Sequence, residues 1–149
     1  MGDKDTKIRK DQIMKVFVDT GIFINVLKKE EGYEYSVKFL EKIQRKEIEG
    51  FISVITISEI LSVFYRISEE ETITAKNYIE SLIGEDGIIP IIKRIAEFAG
   101  RIKASYKVSL GDALIVATTI FVGCECLVSL DPEIKKVDLI KVKGPKELL

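Results

Sequence analysis

The chain has 149 residues, 46% of them hydrophobic and 32% charged, with 23 basic against 24 acidic side chains and no histidine. That length suits one domain around a single core, and charges that nearly cancel give no global basic field announcing nucleic acid, leaving at most a local basic groove. Without imidazole there is no Ser-His-Asp or Cys-His nucleophile, no paired-imidazole phosphodiesterase and no histidine-ligated zinc.

Residues 1–13, MGDKDTKIRKDQI, mix charges of both signs and lack an apolar centre. They read as a solvated polar tail and not as a signal peptide, with the folded domain expected over residues 14–149. No stretch reaches the roughly 18 apolar residues of a membrane span, so the expected location is the cytoplasm. Val16-Phe17-Val18 predicts a first strand ending at Asp19. Residues 22–27 are apolar-periodic and close in Lys28-Lys29, a helix that Gly32 breaks. Val37, Leu40 and Ile43 predict a helix over 34–47, ended by Gly50. Phe51 to Ile55 predicts a second strand, after which Thr56 and Glu59 have the spacing of a capping box.

Ser68-Glu69-Glu70-Glu71 opens a further helix that Gly84 ends. Residues 88–91 form a third short strand, whose Pro90 suits a sheet edge. A helix from about Lys93 to Tyr106 follows. Ser109-Leu110-Gly111-Asp112 then opens one whose body, residues 113–117, is apolar nearly all round and therefore buried, with Gly123 closing it. Cys124 and Cys126 are too few thiolates for a closed zinc site and too close for a good disulfide; they read as small apolar residues where a strand begins. Residues 127–130 predict the fourth strand, ending at Asp131-Pro132, and Val137 to Val142 the fifth. Short apolar strands alternating with helices define a three-layer α/β domain around a parallel sheet.

Four carboxylates stand out by position. Asp19 and Asp131 end strands, while Glu59 and Asp112 lie in the first turns of helices. In an open parallel sheet these places share the rim at the carboxyl ends of the strands, where such folds bind ligands. Each has a structural reading beside the functional one: Glu59 completes a capping box with Thr56, Asp112 does so with Ser109, and Asp131 before Pro132 is turn chemistry. Asp19, directly after a buried apolar run, is harder to assign to structure alone. Like charges about 4 Å apart repel by roughly 4 kcal/mol at an effective dielectric of 20, so a shared rim calls for a counter-charge. Oxygen ligands without imidazole or thiolate select a hard cation, Mg²⁺ or Mn²⁺, and metal-assisted phosphodiester hydrolysis is the coherent chemistry.

Val18-Asp19-Thr20-Gly21, Ile57-Ser58-Glu59-Ile60-Leu61, Gly111-Asp112-Ala113-Leu114-Ile115 and Val128-Ser129-Leu130-Asp131 resemble, in order and spacing, the four signature blocks of PIN domains. The resemblance runs from about Met14 to the C-terminus. It implies strand order 3-2-1-4-5 and a Mg²⁺/Mn²⁺-dependent ribonuclease, and compact chains of this size are similar to VapC-type toxins of toxin–antitoxin pairs. Asp19, Glu59 and Asp112 match the core acids, Asp131 the fourth, and Thr20 and Ser129 the accompanying hydroxyls. Gly21 departs from the usual Asn or Ser. Glu133-Ile134 stands where a further acid and Phe are usual, so Glu133 competes with Asp131 as the fourth ligand.

The expected activity is single-strand endoribonuclease cleavage leaving 5′-phosphate and 3′-hydroxyl ends, with Lys28, Lys29, Lys135 and Lys136 as candidate RNA contacts. An antitoxin segment over the site is an expected partner. Homodimerisation through Leu61, Phe64 and Tyr65 is expected as well, although these side chains equally suit the core. A non-catalytic PIN-like module that binds protein or RNA is the alternative. A haloacid-dehalogenase-type nucleophile at Asp19 lacks its second Asp, because Gly21 stands there, and no Gly-rich loop for a dinucleotide follows the first strand.

Overall fold

The computed structural model describes residues 12–149, so all but the last two residues of the polar tail lie outside the described residues. Five parallel strands, β1 (Lys15–Val18), β2 (Glu49–Ser53), β3 (Ile88–Ile89), β4 (Cys126–Val128) and β5 (Val142–Lys143), form one sheet in the order 3-2-1-4-5. Six α-helices connect them: α1 (Thr20–Leu27), α2 (Tyr33–Gln44), α3 (Val54–Phe64), α4 (Glu69–Ile83), α5 (Lys93–Ser105) and α6 (Leu110–Val122). Among the described residues no helix is long and apolar enough to cross a membrane.

The strand period of two divides the core into halves. Val16 and Val18 of β1, Ile52 of β2, and Cys126 and Val128 of β4 face a cluster closed by side chains of α1 to α4, including Phe23, Phe39, Ile60 and Ile79. Phe17, Phe51 and Leu127 face the opposite cluster, closed by Ile95 and Ile102 of α5 and by Ala113 to Ala117 of α6. The three layers expected from the alternation of elements are present, with a nearly all-apolar α6 buried as its composition required. Cys126 opens β4 and Cys124 precedes it, both as free thiols, and burial pushes the Cys124 thiol up to about 12, far from thiolate chemistry.

Several boundaries differ from the sequence expectation. Gly50 is a β2 residue and not the end of a helix; α2 stops at Gln44, and the chain turns through Lys46 at φ 61°. A Cβ on Gly50 would lie 2.7 Å from Ile43 Cδ1, so glycine lets α2 lie close over the strand. Val54 and Ile55 are helical, because Ser53 sits in extended geometry and its hydroxyl accepts the Ile55 N–H at 3.2 Å, capping α3 before the β-branched pair. The Thr56–Glu59 capping box therefore does not form. Helix α1 begins at Thr20, capped by Asp19, and its last turn holds no basic residue, since Lys28 is already the cap.

Pro90 follows β3 instead of lying in it, and β4 ends at Val128 with Ser129 and Leu130 beyond the pairing. The fifth strand is only Val142–Lys143. Ile134–Lys136 forms a 3₁₀ turn, and Ile134 and Val137 are buried as core plugs on the α6 side without pairing to β4. Phe64 belongs to the core and is not available to a partner, whereas Tyr65 is 62% exposed.

Candidate active site

The fold carries Asp19, Glu59, Asp112 and Asp131 to one cavity of about 340 Å³, which Thr20, Gly21, Glu30 and Leu130 also line. These residues come from the ends of β1 and β4, from α3 and α6, and from the turn after α1, as the rim of a parallel sheet requires. Asp19 is held most firmly. Only 6% exposed, it accepts the Ser129 hydroxyl on Oδ2 at 2.6 Å and the Thr20 N–H on Oδ1 at 2.9 Å. Ser129 Oγ in turn accepts the Asp131 N–H at 3.0 Å, so one buried hydroxyl ties the first acid to the backbone of the fourth.

A second chain of hydroxyls orients Glu59. Thr20 Oγ1 donates to Glu59 Oε1 at 2.5 Å and lies 3.0 Å from Thr56 Oγ1. With its proton committed to the carboxylate, Thr20 is the acceptor in the threonine pair and Thr56 the donor. Thr56, fully buried, thus supports the site instead of capping a helix. The Ser109 hydroxyl accepts the Asp112 N–H at 3.1 Å and fixes the start of α6. Gly111 permits close approach there, because a Cβ on it would stand 3.0 Å from Glu59 Oε2. Gly21 leaves open space at the cavity lip, where a Cβ would meet nothing within 4 Å.

Burial sets the electrostatics. Asp19 is raised from 3.8 to about 6, chiefly by desolvation and further by the charges of Asp112 and Glu59, against the lowering effect of its hydrogen bonds to Ser129 and Thr20. Desolvation also raises Asp112, helped by Asp131 and Glu59, while the Ser109 hydroxyl opposes it. Among the described residues, none of the ion pairs involves any of the four acids. Among these residues, therefore, no Lys or Arg ion pair relieves the repulsion inside the cavity.

The remaining candidates fall elsewhere. Glu133 is exposed and its carboxylate pairs with Lys136 at 3.2 Å; only its backbone reaches the site, donating its N–H to Asp131 Oδ1 at 2.9 Å. Of the two candidates for a fourth ligand, Asp131 lines the cavity and Glu133 does not. Lys28, Lys29, Lys135 and Lys136 are exposed, and none lines the cavity. Glu30, which does, was not singled out in the sequence, where Lys28-Lys29-Glu30-Glu31 has the look of an ordinary solvated charge run.

An all-oxygen donor set suits Mg²⁺ or Mn²⁺. Among the described residues no three acidic or thiol side chains are drawn together tightly enough to cage an ion by themselves. A hard cation there would keep several waters and take substrate phosphate as a further ligand. A buried carboxylate without a cationic partner among the described residues, beside other acids lining the same cavity, is the feature that fits such an ion.

An open parallel sheet with acids converging at its carboxyl rim defines the class: residues 16–140 match the PIN domain family model, and the chain belongs to that family. A relative is Ribonuclease VapC2 of Methanocaldococcus jannaschii, 29% identical over 140 residues that cover 86% of this chain and 92% of that one. Among solved structures, VapBC2 from Rickettsia felis, bound to a DNA fragment from its promoter, superposes with a TM-score of 0.72 at 17% identity, covering 88% of this chain and 98% of that one. VapC20 of Mycobacterium tuberculosis, a sarcin-ricin loop cleaving toxin, gives 0.70 at 13% identity, covering 87% and 99%. At such identities the structural likeness is one of fold.

Proposed function

We propose that this chain is a metal-dependent endoribonuclease that hydrolyses RNA phosphodiester bonds, and that it is the toxin of a toxin–antitoxin pair. The observation that carries this reading is the convergence of four carboxylates, spread from position 19 to position 131, on one cavity without a basic partner among the described residues. A scaffold gains nothing from such repulsion, whereas a cation site requires it. The relative named a ribonuclease, which aligns over most of both chains, supports the reaction class, and the likeness to a solved VapBC complex supports an antitoxin partner. Residues 14–149 form the nuclease domain in this reading, residues 1–13 a polar extension, and the cytoplasm the place of action. Self-association is assigned to the α3 surface around Leu61 and Tyr65, without Phe64.

Asp19, Glu59, Asp112 and Asp131 would hold Mg²⁺ or Mn²⁺. Bound there, such an ion supplies Lewis acidity toward the phosphodiester and the positive charge that a histidine-free cavity lacks. The protein's own residues preorganise the site. Ser129 and the Thr20 N–H fix both oxygens of Asp19, and Thr56 through Thr20 fixes Glu59, so the carboxylates need no rearrangement as charge develops on phosphate. Burial keeps the local dielectric low and strengthens every charge interaction within.

The test is incubation with defined RNA hairpins in Mn²⁺ and in chelator, with the cut ends analysed for 5′-phosphate. Cleavage confined to single-stranded segments and lost in chelator is expected. Cleavage that persists in chelator would remove the metal from the mechanism, and RNA binding without cutting would favour the non-catalytic module. Gly111→Ala separates site geometry from stability in the same assay. The added Cβ crowds Glu59 Oε2, and cleavage is expected to fall about tenfold, the cost of roughly 1.4 kcal/mol in the transition state. The melting temperature should hold or rise, because Ala outranks Gly in a helix by up to about 1 kcal/mol.

A further inference from the structure

Glu30, in the turn between α1 and α2, lines the same cavity as the four acids, and we propose that it belongs to the cation site and strengthens its grip on the divalent ion. This rests on the reading of the acidic cavity as a cation site. Glu30 lines that cavity beside Asp19, Glu59, Asp112 and Asp131. Lys28 and Lys29 precede it directly, yet neither pairs with it among the described residues.

The turn that presents it is built from the end of α1. Asn25, 3% exposed, donates Nδ2–H to the Glu31 carbonyl at 3.1 Å, and the Glu30 N–H donates to the Asn25 carbonyl at 3.0 Å. The Tyr33 N–H closes on the Glu30 carbonyl at 3.0 Å, with Lys29 at φ 51° and Gly32 at φ 77°. A lysine in left-handed geometry is uncommon and persists here because its neighbours are tied down. Asn25 is thereby a positioning residue for the turn. Glu31 carries the same charge one residue on but does not line the cavity, which makes it a control for charge without placement.

A nearby carboxylate attracts a divalent ion with twice the strength it exerts on a monovalent one, and the effect is concentrated where water is partly excluded. Isothermal titration of MnCl₂ into the full chain compares wild type with Glu30→Gln, Glu31→Gln and Asp112→Asn. Glu30→Gln is expected to weaken Mn²⁺ binding by roughly five- to tenfold, Glu31→Gln by less than about twofold, and Asp112→Asn to lose most of it. Loss of affinity in Glu30→Gln alone of the two Glu variants upholds the proposal. Equal affinities for the two, with binding still lost in Asp112→Asn, would overturn the role of Glu30 and leave the cation site standing. A wild-type chain that takes up no Mn²⁺ would overturn the cation site itself, and Glu30 with it.

Discussion

Asp112→Asn is expected to abolish RNA cleavage, by about a thousandfold or more, while the protein stays folded. The substitution keeps the shape of the side chain and removes its charge. The Ser109 cap on the backbone N–H of position 112 survives, so α6 starts where it did. A thousandfold loss corresponds to roughly 4 kcal/mol of transition-state stabilisation, a reasonable share for one carboxylate that helps to hold a catalytic cation. Stability moves the other way. Asp112 is held above its usual range by desolvation and by Asp131 and Glu59, so neutralising it relieves repulsion. Single-turnover cleavage measured beside a thermal melt checks both halves. A variant that cuts RNA at the wild-type rate, or that loses activity only because it unfolds, contradicts the assignment.

Asp19→Asn should raise the melting temperature of the metal-free protein at neutral pH. A carboxyl moved from 3.8 to about 6 by burial is more easily protonated in the folded state than in the unfolded one. Between those two values the native protein binds the extra proton, so this contribution to stability is present below about pH 4 and is lost as pH rises to 6. Above pH 6 the ionised Asp19 costs about 3 kcal/mol, using 1.36 kcal/mol per unit. Asn removes that cost, still caps α1 through the Thr20 N–H, and leaves Ser129 a group with which to hydrogen-bond. The variant should melt about 6–12 °C above wild type at pH 7, and the gap should close toward pH 4.

Mn²⁺ should reverse the order. An ion at roughly a thousand times its dissociation constant adds about 4.1 kcal/mol to the wild type, more than the roughly 3 kcal/mol that ionised Asp19 costs, and little to the variant. Parallel melts from pH 4 to pH 8, with and without MnCl₂, read both effects. A variant less stable than wild type at pH 7 without metal would mean that Asp19 serves the fold and not an ion.

The topology was legible because each buried strand is a short apolar run between helical patterns, and period two then decides which side chains meet which layer. Asp19 was legible for a related reason, since a carboxylate that ends such a run is carried into the interior. What failed depended on contacts between distant residues or on a single cap. Val54 and Ile55 have strand propensity, yet they lie in the first turn of a helix that the Ser53 hydroxyl caps. Val137 looks like strand and is instead a plug beneath α6. The lysines at 28, 29, 135 and 136 are close to the acids in sequence but do not line the cavity, because a turn can send neighbouring side chains in different directions. Glu30 shows the converse: an unremarkable member of a charge run is brought to the acids by a turn anchored on buried Asn25. The use of Thr56 to support Glu59 through Thr20 was equally invisible, since it needs the ends of β1 and β2 side by side.

The functional reading turns on the proposal that a bound cation offsets the repulsion among the clustered acids. Crystals grown with MnCl₂ and measured at the manganese absorption edge test it most directly. An anomalous peak in the cavity bounded by Asp19, Glu59, Asp112 and Asp131, absent from Asp112→Asn crystals, is the expected result. Ordered protein with that cavity free of anomalous signal, at Mn²⁺ concentrations that support RNA cleavage, would contradict it.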